Sequence, residues 1–273
     1  MSKVPAVLLI HGLWSSPSEM MPVTSALRRA GYRVETLEIP GYTYAAGIQV
    51  RPWRDWLQAA LTAFDKLRSE HDSVSVGGLC IGGMLALAVA AHRPGKVRAL
   101  SVLSPTVFFD GWGLPWLTRL RHIGYYTPFR YFWRVPEQEP YGVKNPLIRR
   151  WIAREMAQRK VSAAGAAYLP LAGLHESERL IAFVKRAIAE IATPTLIIHA
   201  REDEISTLRS PYYLLERLGS RVKQLRVLED SYHMVTLDNE RQQVVDAISD
   251  FFLEQAPLPR ATVLPFPPRV QVA

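Results

Sequence analysis

A chain of 273 residues, 48% of them hydrophobic, can build a sizeable core, which excludes a largely disordered protein. Its single cysteine excludes an internal disulfide and any cysteine-based metal cluster, and a lone thiol suits a reducing compartment. The formal charge of +8 would permit nucleic-acid binding, but no binding motif accompanies it, and no apolar run reaches membrane-spanning length.

Residues 4–10 form a continuous apolar run ending at His11-Gly12. Such a run suits a buried parallel strand; as a targeting segment it is short and runs straight into residues needed for chemistry, so a cytoplasmic protein is expected. Ser16-Pro17-Ser18-Glu19 has the spacing of a capping box with proline at the first helical position, and Gly31 marks the end of the helix it would open. Residues 32–39 alternate as a strand, and Pro40-Gly41-Tyr42 reads as a turn. Pro52 opens an amphipathic helix over about 53–69, followed by a short strand at 74–76. Gly77-Gly78-Leu79-Cys80-Ile81-Gly82-Gly83 comes next, leading into an alanine-rich helix that Arg93-Pro94-Gly95 breaks. Another buried strand is predicted at 97–103.

This alternation predicts an α/β fold with a mostly parallel sheet covered by helices on both faces. It lapses over 107–191, a stretch with helices predicted at 146–160 and 175–191. Ten Lys/Arg stand against four Asp/Glu within 107–160. That balance reads first as a solvated basic face and second as a basic entrance for an anionic substrate. The pattern resumes with a strand at 194–199, a helix at 208–218, a strand at 222–228 and a helix at 239–254, with Asp238 as its expected N-cap. The expected organisation is one discontinuous core, 1–106 and 192–256, a helical cap insertion over 107–191, and a proline-rich extended tail at 257–273. Phe108, Phe109, Trp112, Trp116, Tyr125, Tyr126, Phe129, Tyr131, Phe132 and Trp133 are expected to build the cap, most as packing and some around an apolar acyl pocket.

Gly78-x-Cys80-x-Gly82, between a strand and a helix, has the spacing of a nucleophile elbow with cysteine at its centre. The loops after the strands at 194–199 and 222–228 carry Asp203 and His233, giving the chain order nucleophile, acid, histidine. In this reading His233 takes the thiol proton, or holds Cys80 as a thiolate–imidazolium pair, and then gives that proton to the leaving group, while Asp203 fixes the imidazole tautomer and stabilises its cation. The positive helix N-terminus favours negative charge on sulfur. The oxyanion calls for two backbone N–H donors, Ile81 and, from the His11-Gly12-Leu13 loop, Leu13. His11 reads as a loop-shaping hydrogen bonder, Gly12, Gly78 and Gly82 as room for tight turns, and Glu202 and Glu204 as substitutes for Asp203 or solvated neighbours. His71, His92, His122, His175 and His199 do not cluster and receive no role; no H-E-x-x-H or P-loop pattern exists, so neither metal nor cofactor is expected.

Together, His11-Gly12, Gly78-Leu79-Cys80-Ile81-Gly82-Gly83, Ala200-Arg201-Glu202-Asp203-Glu204 and the run from Ser231 through His233 to Asp238 resemble the small microbial carboxylesterases and monoacylglycerol lipases of the α/β-hydrolase superfamily. The resemblance spans nearly the whole chain apart from the tail and much of the insertion. It implies the α/β-hydrolase fold, a cap over the site and cofactor-free hydrolysis of an acyl ester or thioester. That family has serine at the elbow. Cysteine there resembles dienelactone hydrolases and polyhydroxyalkanoate synthases, so an acyltransferase or synthase with an acyl-CoA-like donor stands beside hydrolysis. A ligand-binding homologue without catalysis, or a serine replaced by design, are the remaining readings of Cys80.

Overall fold

A computed structural model describes residues 3–114, 121–159, 161–162 and 164–258. Trp116 and most of the predicted tail lie outside these.

Six parallel strands form the central sheet: β1 (Ala6–Ile10), β2 (Arg33–Leu37), β3 (Val74–Leu79), β4 (Leu100–Leu103), β9 (Thr195–Ala200) and β10 (Lys223–Leu228). Their order is β10-β9-β4-β3-β1-β2. Four short strands pair with each other outside it in the intervening segment, β5 (Arg134–Pro136) with β8 (Tyr168–Pro170) and β6 (Val161–Ser162) with β7 (Gly165–Ala166).

Alternate residues of one strand feed two separate cores. Leu8 and Ile10 of β1 join Val76 and Val102 beneath α2 (Trp53–Glu70), α3 (Ile81–His92), α6 (Leu171–Ala187) and α7 (Arg209–Arg217). Val7 and Leu9 join Leu79, Leu103 and Ile198 beneath α1 (Met21–Ala30) and α8 (Arg241–Gln255). Side chains on a strand point to opposite faces in turn, so covering both faces requires the unbroken apolar runs seen in the sequence. Helix α2 buries Trp53, Trp56, Leu57, Ala60, Leu61, Phe64 and Leu67, a stripe at helical spacing. Helix α3 is buried all round from Ile81 to Ala90, and it packs on β3 with α2 and α6 over it. Each fully buried leucine there contributes ~1.5–3 kcal/mol.

The chain builds β2 outward from β1, then returns to add β3, β4, β9 and β10 on the other side. The crevice where the order reverses, at the carboxyl ends of β1 and β3, is where open α/β sheets form ligand sites. Ile10 pairs with Gly78 across that boundary, which sets His11-Gly12 against the elbow.

Several local expectations change. Pro17–Met20 is a short 3-10 turn before α1, and Ser16 makes no side-chain cap bond; Glu19 instead reaches back to the Gly12 backbone. Strand β3 extends through the glycines to Leu79. Helix α6 begins at Leu171, four residues before the expected start. Asp238 does not cap α8, whose N-cap is Glu240; it accepts backbone N–H bonds from Lys144, Asn145 and Tyr232 at 2.7, 2.9 and 2.8 Å. That ties the entry of α5 (Pro146–Arg159) to the loop after β10. The aromatics of the intervening segment are mainly exposed: Trp112, Tyr126, Phe129, Tyr131, Phe132 and Trp133 face outward, and Tyr125 of α4 (Arg121–Tyr125) is buried. No helix among the described residues is long and apolar enough to cross a membrane.

Candidate active site

Cys80 sits between β3 and α3 with φ 56° and ψ −120°, a left-handed conformation that non-glycine residues rarely adopt. The glycines around it make the turn feasible. A Cβ on Gly78 would collide with the backbone of Gly82, and one on Gly82 with the carbonyls of Ile10 and His11. The Cys80 N–H bonds to Leu103 O at 2.9 Å, fixing the elbow to β4. The sulfur lies 3.3 Å from the Thr106 hydroxyl, which is also 3.3 Å from Ser104 O.

Leu228 of β10 pairs with Ala200 of β9, so the loops that follow are neighbours. They bring Asp203 Oδ2 within 2.7 Å of His233 Nδ1. Donation from Nδ1–H to the carboxylate leaves Nε2 as the basic nitrogen. Asp203 Oδ1 accepts the backbone N–H groups of Ile205 and Ser206, both at 2.9 Å. The histidine backbone is held as well: Ser104 Oγ donates to His233 O at 2.6 Å and His233 N–H donates to Glu204 Oε2 at 3.1 Å.

Burial works against charge on both members of this pair, yet the pair sustains it. The buried Asp203 carboxyl is held below the usual carboxylate range by the charge and hydrogen bond of His233, aided by His199 and the Ser206 N–H. His233 is pushed well above an ordinary imidazole, because Asp203 and then Cys80 outweigh the burial penalty.

His11 is buried in the loop after β1 and hydrogen-bonded through both ring nitrogens. Burial lowers its imidazole to about 4. The neutral ring donates from Nδ1 to Gly12 O at 2.7 Å and accepts at Nε2 from the Thr43 hydroxyl at 2.8 Å. Leu13 and Ile81 line the same cavity as Cys80 and His233, a space of about 120 Å³. Its apolar wall includes Phe109, Leu169 and Met234. No group of three or more metal-ligating side chains occurs among the described residues.

Four residues enter the site beyond the expected set. Glu204 is buried and bonded to His233, neither solvated nor a stand-in for Asp203, whereas Glu202 is half exposed and paired with Lys144 at 3.0 Å. His199 stands behind Asp203, its Nε2 2.7 Å from Ser206 O and 3.5 Å from Asp203 Oδ2. Glu19 accepts the Gly12 N–H at 2.6 Å. Glu137 lines the cavity from the intervening segment. Burial is the main cause that lifts the carboxyls of Glu19, Glu137 and Glu204 to about 7. The H-x₃-D spacing to His199 was a usable signal; nothing local marked the glutamates.

Comparison with known proteins agrees with this architecture. The thermostable monoacylglycerol lipase of Bacillus sp. (strain H-257) is 26% identical over 251 residues, covering 92% of this chain and 91% of that protein. The carboxylesterase of Bacillus subtilis (strain 168) is 24% identical over 253 residues, 90% of this chain and 91% of that one. A soluble variant of monoglyceride lipase from Saccharomyces cerevisiae shares the fold with a TM-score of 0.76 at 14% identity, over 93% of this chain and 87% of that one. The Hydrolase_4 family, described as serine aminopeptidase, S33, matches residues 2–240, and the chain therefore belongs to that family of α/β hydrolases.

Proposed function

We propose that this α/β hydrolase cleaves carboxylic esters or thioesters of an apolar acyl group through a covalent acyl-Cys80 intermediate. The observation that carries the reading is the position of His233, bonded through Nδ1 to Asp203 at 2.7 Å and facing the Cys80 cavity.

His233, held well above an ordinary imidazole by Asp203 and Cys80, carries the thiol proton on Nε2, and sulfur attacks the substrate carbonyl as the thiolate. The carbonyl electrons move to oxygen, and the Leu13 and Ile81 backbone N–H groups stabilise that oxyanion. Collapse breaks the bond to the alcohol or thiol, which leaves with the proton from His233. Water then attacks the acyl-Cys80 thioester, giving its proton to His233; release of the acid returns that proton to sulfur. The segment 107–191 acts as the cap, contributing Phe109, Tyr141, Leu169 and Leu174 to the cavity wall.

The sulfur itself favours a second reading: acyl transfer, since a thioester is open to attack by alcohols and thiols as well as by water. Turnover of short and medium p-nitrophenyl esters and of an acyl-CoA, by the parent and Cys80→Ala, tests the first reading. Activity is expected in the parent alone and should disappear after iodoacetamide. Equal activity in Cys80→Ala would rule the mechanism out. Product analysis with and without added alcohol or thiol separates transfer from hydrolysis.

A further inference from the structure

The turn that follows β4 touches both the nucleophile and the histidine loop. Ser104 has φ 41°, a left-handed conformation that a serine rarely adopts. Its Oγ donates to His233 O at 2.6 Å. Two residues on, the Thr106 hydroxyl lies 3.3 Å from Cys80 Sγ. One strained turn therefore meets His233 through one side chain and the sulfur through another.

Thr106 is fixed in that position from both sides in the chain. Before it, the Ser104 N–H bonds to Ile198 O of β9 at 2.8 Å. After it, Ser210 Oγ of α7 accepts the N–H groups of Val107 and Phe108 at 3.1 and 3.0 Å. Thr106 itself is fully buried and takes no part in the wall of the Cys80 cavity. Its hydroxyl thus reaches the sulfur from the protein side, not from the substrate side.

A buried hydroxyl needs a partner, and this one has two acceptors for a single proton. Ser104 O and Cys80 Sγ are both 3.3 Å away. The usual range for O–H···O bonds is about 2.5–3.0 Å, so the contact with Ser104 O is stretched. Sulfur is the larger atom, and the same separation is a close contact there. Charge widens the difference, because a hydrogen bond to an ionised acceptor is roughly twice as strong as one to a neutral acceptor.

We propose that Thr106 is a further catalytic residue: its hydroxyl donates to Cys80 Sγ while the sulfur is a thiolate and turns to Ser104 O once the sulfur is acylated. The proposal rests on the reading of Cys80 as the acyl-accepting residue and adds a group to that chemistry. No covalent bond is made or broken in the switch; the proton stays on the Thr106 oxygen and changes acceptor by rotation about Cβ–Oγ1. Before acylation the bond stabilises the thiolate that faces the His233 imidazolium. In the acyl enzyme the sulfur is neutral and a weak acceptor, so the proton is better placed on Ser104 O. As water displaces the sulfur, the hydroxyl swings back to meet the charge returning to it.

The single cysteine makes the test direct, since alkylation by iodoacetamide reports on Cys80 alone. Thr106→Val removes the hydroxyl with little change of shape, Thr106→Ala removes it without bulk, and Thr106→Ser keeps it. The other titratable groups facing the sulfur stay in place: His233 with Asp203 behind it, Glu19, Glu137 and Glu204 in the cavity wall, and Tyr42 nearby. In Thr106→Val and Thr106→Ala the pH of half-maximal alkylation rate should rise by about one unit relative to wild type, and the ultraviolet absorbance of the thiolate should shift with it. Thr106→Ser should follow the wild-type curve. On p-nitrophenyl butanoate at neutral pH, the first two variants should lose about ten-fold in kcat with KM little changed, and Thr106→Ser should recover most of that loss.

Coincident alkylation profiles for wild type and the folded variants lacking the hydroxyl would overturn the proposal, as would equal losses in Thr106→Ser and Thr106→Val. Circular dichroism establishes folding, and Thr106→Ala carries the comparison if Thr106→Val does not fold. A wild-type protein that is alkylated but turns over no ester fails the reaction assigned to Cys80, and the alkylation profiles then decide the Thr106 bond by themselves. An ester-active wild type with coincident profiles fails the Thr106 bond alone.

Discussion

Glu204 and His233 are joined through the main chain: the glutamate Oε2 accepts the histidine N–H at 3.1 Å. The adjacent Asp203 grips the same histidine by its ring at 2.7 Å. Two consecutive acids therefore hold one residue by its backbone and its side chain. The segment after β4 secures the acids in turn, since Gly111 N–H bonds to Ile205 O at 3.0 Å and Gly113 N–H to Glu204 O at 2.9 Å.

The two acids are expected to fail differently. Asp203→Asn leaves a neutral partner that no longer enforces the tautomer, and kcat should fall on the order of 10³–10⁴-fold. Glu204→Ala leaves the His233 N–H without its acceptor and should cost ~1–3 kcal/mol of stability. Its loss of kcat should be smaller than that of Asp203→Asn. Ester kinetics and urea unfolding on both variants check the contrast.

Glu19 makes stability depend on pH in a defined direction. Its carboxyl titrates near 7 in the folded protein against 4.5 as the reference value. Below about 4.5 it is protonated in both states. As pH rises toward 7 the unfolded state ionises first, so stability falls, and above 7 the difference is constant. Glu19→Gln removes this loss. Relative to the parent, the variant should gain on the order of 3 kcal/mol between pH 4.5 and 7.5. Urea unfolding across that range measures it; a difference independent of pH would contradict the assignment.

Gly82→Ala should be far more damaging than Gly95→Ala. The first adds a Cβ against the Ile10 and His11 carbonyls, where β1 is locked into the sheet. The second has a left-handed φ of 69° but open space around it. Expected losses are more than ~3 kcal/mol for Gly82→Ala and about 1 kcal/mol for Gly95→Ala. Thermal unfolding of soluble protein, or its absence from the soluble fraction, distinguishes them.

Asp238→Ala should weaken both stability and turnover, because it frees the loop carrying His233 from the entry of α5. Four N–H groups, from Lys144, Asn145, Tyr232 and Asn239, lose a carboxylate acceptor, a cost of ~2–4 kcal/mol. Asp238→Asn, which keeps one carbonyl acceptor, should recover part of it. Combined urea unfolding and ester kinetics check both effects.

The alternation of apolar runs and amphipathic helices made the α/β architecture legible because each strand carries its own burial pattern. Cys80, Asp203 and His233 were legible through their local turns, and the sheet register supplies the reason they meet. Glu19 was hidden by a local pattern: Ser16-Pro17-Ser18-Glu19 satisfies a capping-box spacing, but the turn is 3-10 and the carboxylate crosses to Gly12. Asp238 misled for a similar reason, since an acid just before a helix suggests a cap, while its partners are about ninety positions away at Lys144 and Asn145. Glu137 carried no signal because its significance lies in which cavity it lines. The exposed aromatics from Tyr126 to Trp133 show that composition alone does not tell packing from surface.

A single sulfur at the elbow also determines how the protein ages in an oxidising medium. The chain has one cysteine, so a sulfenic acid formed on Cys80 has no second thiol within the chain to condense with. Recovery then depends on a small thiol from solution entering the cavity that Cys80 lines. Without one, further oxidation to the sulfinic state is irreversible, and a fold that remains intact would keep a permanently oxidised Cys80 at its elbow.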